Sequence, residues 1–271
     1  MVAKISGKVV RVLVVTLLAS IFGVSQGITA DWATVLKEAK AKYAKFEKEV
    51  KDMDIVQEIK LITSEGPMTS ETKMLRKGQK FRMDTQIGMQ LPQIPKEMGS
   101  MEIIIIDDGK DTWMISSLMG KMKLSNEQRD IYQKERNWWR IISDKAKIVG
   151  TDKIGNRECY VVLIKEQNKS PFNRIWLDKK NLVLVQAETK ESEAETMLVV
   201  SSDFRKIKGD WEWPYKTEIY TNGKLMATSR IKSLEINKGL SDDLFKPDKV
   251  EVKELDLDGM MKKMMEKGGF K

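Results

Sequence analysis

The chain has 271 residues, 41% of them hydrophobic and 32% charged, with a formal net charge of +8. That suffices for one substantial core, and the positive surplus is spread among many mixed charges, unlike the basic block of a dedicated nucleic-acid binder. There is no histidine and a single cysteine, which excludes Ser-His-Asp and Cys-His nucleophile systems, histidine metal sites and an internal disulfide.

The first 30 residues read as a secretory signal. Lys4, Lys8 and Arg11 form a cationic start, Val12 to Val24 is an apolar run, and small residues surround cleavage points after Gly27 or Ala30. A run of 13 residues is short of the roughly 20 that span a bilayer. Loss of this segment removes three positive and no negative charges, taking the net charge from +8 to +5. No cysteine lies at the cleavage point to carry a lipid anchor, so residues 31–271 are expected to form one exported, soluble, periplasmic domain.

Next, Trp32, Val35, Leu36, Ala39, Tyr43, Phe46 and Val50 recur at spacings of three and four among lysines and glutamates, the pattern of an amphipathic helix. From Met53 the period becomes two, and "MDIVQEIKLITS", "ETKMLRKG" and "QKFRMDT" read as successive strands. The stretch 86–101, "QIGMQLPQIPKEMGSM", contains two prolines that exclude a regular helix or central strand. It is either a packed connection or a flap that brings Met89 and Leu91 over a cavity.

"MEIIIIDDGKDTWMIS" predicts a hairpin around an Asp-Gly turn, with Trp113 on its second arm, and 119–124 adds a short strand. Ser125 and Gln128 match a capping box that opens a helix over 125–143. Trp138 and Trp139 are adjacent and point in different directions on a helix, so at least one leaves the core stripe for a cavity or a partner. From Ala146 to Glu235 seven strands follow with few breaks, separated by turns such as Asn222-Gly223. Cys159 lies in one of them as a small buried hydrophobe. In "RIWLDKKNLVLVQAE" (174–188), Arg174, Trp176 and Asp178 share one face and Ile175 and Leu177 the other, while the second arm is apolar on both faces. Such a strand must be covered twice, which predicts a cavity nearby and leaves open whether Trp176 looks into it. After the sheet, Met260, Met261, Met264 and Met265 line one side of a short helix in a tail over 256–271, which either docks on its own domain or offers a methionine surface to a ligand. The pairs Asp107-Asp108 and Asp242-Asp243 read as turn and cap residues.

The fold class is therefore mainly β with covering helices (α+β), built on one strongly curved antiparallel sheet of about twelve strands. Five stretches in this order resemble the family of periplasmic lipoprotein carriers and outer-membrane lipoprotein-sorting proteins (LolA-like): "KGQKFRMD" (77–84), "IIDDGKDTWMIS" (105–116), "RIWLDKKNLVLVQAE" (174–188), "GDWEWPYKTEIYTNGK" (209–224) and "LEINKGLSDDLFKP" (234–247). The resemblance implies an incomplete β-barrel closed by helices that holds acyl chains, and it gives Arg82, in the strand "KFRMD", the role of holding the lid helices.

The expected function is a non-enzymatic periplasmic carrier with no cofactor and no metal. Its partners are the acyl chains of lipids or lipoproteins and, transiently, membrane-associated envelope proteins, with no nucleic acid. The site residues are Arg82, Met89, Leu91, Trp113, Trp138, Trp139, Trp176, Met260 and Met264. The competing class is an envelope structural or signal-sensing protein whose core is filled by its own side chains.

Overall fold

The computed structural model of the chain describes residues 30–64, 66–88, 100–117, 119–125, 138–165, 170–192 and 195–251. It begins with helix α1 (Trp32–Glu49), where the Asp31 carboxylate accepts from the Thr34 backbone N–H at 3.1 Å and caps the first turn. The apolar stripe at spacings of three and four buries Trp32, Val35, Leu36, Ala39 and Phe46. Thirteen described strands follow: β1 (Asp52–Thr63), β2 (Gly66–Lys77), β3 (Lys80–Gly88), β4 (Ser100–Asp107), β5 (Thr112–Ser116), β6 (Gly120–Lys123), β7 (Lys147–Ile154), β8 (Arg157–Leu163), β9 (Arg174–Asp178), β10 (Leu184–Ser192), β11 (Glu195–Lys208), β12 (Trp211–Thr221) and β13 (Lys224–Ile236). A helical turn, α2 (Trp138–Ile141), lies between β6 and β7.

All strand pairs are antiparallel in one sheet of order β6-β5-β4-β3-β2-β1-β13-β12-β11-β10-β9-β8-β7, so β6 and β7 are its edges and the sheet is not closed. The chain meanders outward from β1 to one edge, crosses once to the other, and meanders back until β13 pairs with β1. The twelve strands and the short strand at 119–124 read from the sequence account for the thirteen found. The first hairpin is tighter than expected: β2 starts at Gly66, five residues before "ETKMLRKG". Pro67 is tolerated there because β2 pairs with β3 only from Ser70 onward, leaving the missing N–H on an unpaired side. Asn222 and Gly223, at φ 48 and 77, make the tight turn before β13.

One row of paired residues sets the α1 face of the sheet. It runs from Leu61 through Ala227, Ile219, Val199, Ala187 and Ile175 to Val162, and every member is buried in the cluster that holds Trp32, Val35, Leu36 and Ala39. The opposite face of β2 to β5 is covered by the chain after β13. There Phe245 and Val250, from two 3-10 turns and the residue that follows (Asp242–Phe245, Pro247–Lys249), pack against Leu75, Ile104, Ile106 and Ile115. No helix among the described residues is long and apolar enough to cross a membrane.

Candidate functional site

Beyond Ala39 the helix stripe continues through Tyr43 and Phe46, and these rings reach one end of the sheet, where β1 and β12 begin and β2 ends. There they meet Met53 and Ile55 of β1, Met74 of β2, Trp211 and Trp213 of β12, and the two tryptophans of α2 around a cavity of about 150 Å³. The Tyr43 ring stacks on Trp139 (centroids 4.1 Å, interplanar 8°) and meets Trp138 edge-on at 5.5 Å. Phe46 lies 4.6 Å from Trp211 and 6.3 Å from Trp213. A cavity of this size has room for a guest about as large as benzene, and its mostly aromatic and methionine lining offers apolar surface for non-covalent burial. The Tyr43 phenol is pushed far above the ordinary tyrosine range by burial, and its hydroxyl reaches Leu182 O at 3.4 Å.

A polar network borders these rings. Arg157 donates from Nη1 to Asp178 Oδ2 (3.1 Å) and from Nη2 to Glu212 Oε2 (2.8 Å), and Asn181 Nδ2 donates to the same Glu212 oxygen (2.9 Å). Lys42 Nζ lies 4.9 Å from the Trp211 ring centroid and donates to Asn181 O. Burial lowers the Lys42 pKa, opposed by the negative charges of Glu212, Asp178 and Asp210. At the rim, Glu47 of α1 accepts from Arg140 Nη2 of α2 at 2.6 Å and pairs with Arg76 Nη2 of β2 at 3.6 Å.

Of the residues singled out from sequence, Trp138 and Trp139 line the cavity, and both are buried, with ring planes 89° apart. Trp176 does not. It lies on the face of β9 turned from the main core, beside Cys159, Val183 and Val185, and its indole N–H donates to Asp152 Oδ2 at 3.0 Å; Ile175 and Leu177 take the α1 face. Arg82 and Trp113 are likewise outside the lining. The register Leu75, Arg82, Ile106, Trp113 places them in one row on the face that Phe245 covers. Arg82 pairs with Asp84 (2.7 and 2.9 Å) and donates to Leu244 O at 3.1 Å. The strand arginine whose ion pair reaches the helices is Arg76, which faces α1 because it sits an even number of residues from Met74. Met89, Leu91, Met260 and Met264 lie outside the described residues, as do most of the 86–101 loop and of the helix expected over 125–143.

Tyr43 and Phe46 were read from the sequence only as part of the helix stripe, and Trp211 and Trp213 only within the stretch 209–224; none of the four was named as a site residue. The spacing Trp211-x-Trp213 puts both rings on one strand face and is the signal that could have found them. Asp107 and Asp108 are turn acceptors, bonded to the backbone N–H groups of Gly109, Lys110 and Asp111 at 2.8 to 3.0 Å. Among the described residues no group of three or more Cys, Asp or Glu side chains is arranged to hold a metal.

No family model matches the chain. No curated protein matches it. Solved structures do. A domain from Vibrio parahaemolyticus assigned to the outer membrane lipoprotein-sorting proteins superposes with a TM-score of 0.56 at 12% identity, over 80% of this chain and 96% of that one. A LolA superfamily protein from Nitrosomonas europaea gives 0.55 at 14% identity, over 82% of this chain and 100% of its own. A DUF1329 family protein from Desulfovibrio piger gives 0.55 at 13%, also over 82% and 100%. At these identities the likeness is one of fold: an open, mostly antiparallel β architecture common to all of them.

Proposed function

We propose that this chain, which has the fold of the LolA superfamily and of the outer membrane lipoprotein-sorting proteins, is a non-enzymatic carrier of the cell envelope. It holds acyl chains of lipids or lipoproteins in an incomplete barrel closed by α1 and α2. The observation that carries this reading is the aromatic and methionine-lined cavity between α1, α2 and the strand ends. Burial there is worth ~25 cal/mol per Å² of apolar surface, or ~0.8 kcal/mol for each methylene. Export to the periplasm rests on the amino-terminal signal pattern.

The cavity of about 150 Å³ seats only part of a long chain, so a full acyl chain enters by moving α1 and α2 away from the sheet, with the Glu47 pairs to Arg76 and Arg140 as the clasp that yields. The same small volume favours the competing reading, a structural or signal-sensing protein whose barrel is filled by its own side chains.

Protein purified under mild conditions and analysed by mass spectrometry is expected to carry bound lipid, and it should bind a fluorescent fatty-acid probe with a change in tryptophan emission. Absence of co-purified lipid together with absence of probe binding overturns the carrier reading in favour of the self-filled barrel.

A further inference from the structure

We infer that an acyl chain of about fourteen to sixteen carbons lies across the sheet on a methionine row that leads from the aromatic cavity to the open edge at β6; the inference rests on the carrier reading and gives the path and length of its ligand. The register sets Ile55 of β1, Met74 of β2, Met83 of β3, Ile105 of β4, Met114 of β5 and Met122 of β6 side by side on one face. Ile55 and Met74 also line the cavity, so the row continues the site already described. Met83 and Ile105 are buried, Met114 is half-buried and Met122 is 38% exposed, so the row opens towards the edge. Among the described residues, neither Met83 nor Ile105 joins the clusters under α1 or under the chain after β13.

The rows on either side are broken by polar groups, which is what fixes the path. One carries Thr72, Thr85 and Ser116, with the two threonine hydroxyls 3.2 Å apart. The other carries Arg76, Asp107 and Thr112. An alkyl chain offers such groups no hydrogen bond, so contact with them costs where contact with the row between them does not. The methionine row is apolar throughout, and its unbranched thioether side chains re-pack around an irregular guest. From Met74 on β2 to Met122 on β6 the row crosses four strand spacings of about 4.8 Å, a reach of about 19 Å. An extended alkyl chain advances roughly 1.25 Å per methylene, given a C–C bond of about 1.5 Å. A chain with one end seated in the cavity therefore reaches the edge with about fourteen to sixteen carbons.

The test is isothermal titration of the full exported protein with octanoic, dodecanoic and hexadecanoic acids at pH 7. Affinity is expected to keep rising to sixteen carbons, by up to about fourfold per methylene, where a benzene-sized cavity alone would level off at about six to eight carbons. Met114→Glu puts a charge into the row beyond the cavity. It is expected to weaken hexadecanoate by at least about tenfold while leaving octanoate unchanged. Met122→Glu, at an exposed edge position, is expected to act on the same long chain by about threefold. A wild-type series that levels off at octanoate, or variants that weaken both chains equally or neither, overturns the inference and leaves the carrier reading standing. Binding of none of the three acids overturns both. If Met114→Glu does not fold, Met122→Glu and the wild-type series decide.

Discussion

Gln186 on β10 is fully buried, in register between Trp176 of β9 and Val200 of β11, and neither atom of its amide has a partner. Leaving a polar group dry and unpaired costs about 1–3 kcal/mol. Gln186→Met keeps the shape and removes the amide, so it is expected to raise the unfolding free energy by about that amount in urea titrations; a loss of stability would contradict this account. Cys159, two strands further along the same face, is also fully buried, and its thiol is pushed up to about 12 by burial and then by the charges of Asp178 and Asp152. The folded state therefore keeps a proton that the unfolded chain releases above the ordinary value of 9.0. Stability from this group is complete below pH 9, declines from there as the unfolded thiol ionises, and is lost by about pH 12. Two measurements check it: native protein should resist thiol alkylation at pH 8 until denaturant is added, and the midpoint of thermal unfolding should fall between pH 9 and pH 11. The raised Tyr43 phenol acts in the same direction.

Among the elements, the strap after β13 shows how a short polar sequence positions an apolar cover. Asn237 adopts φ 57, accepts from the Lys51 N–H at 2.7 Å and donates to Glu49 O at 2.9 Å. The Asp52 carboxylate then accepts from Lys238 N (2.7 Å), Gly239 N (2.9 Å) and Leu240 N (3.4 Å). This turn delivers Phe245 onto Leu75, Ile104 and Ile106, and Lys77 and Lys80 hold Asp242 at 3.2 and 2.6 Å beside it. Hydrogen bonds to a charged group contribute about 1.5–3 kcal/mol. Asp52→Ala is expected to cost about 2–3 kcal/mol and to speed hydrogen exchange across residues 238–250 while leaving β7 to β10 protected. Uniform loss of protection would mean that the strap is not a separate unit. The alternation of Met53, Ile55, Ile59 and Leu61 made β1 legible as a strand, but not that its first residue would anchor a segment 186 residues later in the chain.

At the scale of the molecule, Glu47 joins three elements through Arg140 on α2 and Arg76 on β2. These pairs are partly exposed, so together they contribute about 0.2–1 kcal/mol. Glu47→Ala should leave the urea midpoint almost unchanged and raise the dissociation rate of a bound fatty-acid probe by up to about fivefold, the kinetic equivalent of that energy. A large loss of stability with an unchanged rate would make Glu47 a structural residue and move the clasp elsewhere. Arg82 lies only six residues from Arg76, yet its hydrogen bond goes to Leu244 on the opposite face of the sheet.

The sequence by itself determined what is local. Period-two alternation marked the strands, Asn222-Gly223 and Asp108-Gly109 their turns, the stripe from Trp32 to Val50 the helix, and the adjacency of Trp138 and Trp139 the expectation that at least one would leave the core stripe for a cavity or a partner. These signals are legible because strand pleat, helix pitch and turn conformation are set by residues a few positions apart. Alternation gives the parity of a side chain and not the identity of its face, so Trp176 and Ile175 were equally eligible to line the site. Tertiary structure decided that Ile175 joins the α1 face and Trp176 packs on Cys159, that Arg76 and not Arg82 meets α1, and that Tyr43, Trp139 and Trp211 converge. The physical reason is that a face acquires its role only from what packs on it, and here the covers are α1 and the strap after β13, which lie far along the chain from most of the strands they bury.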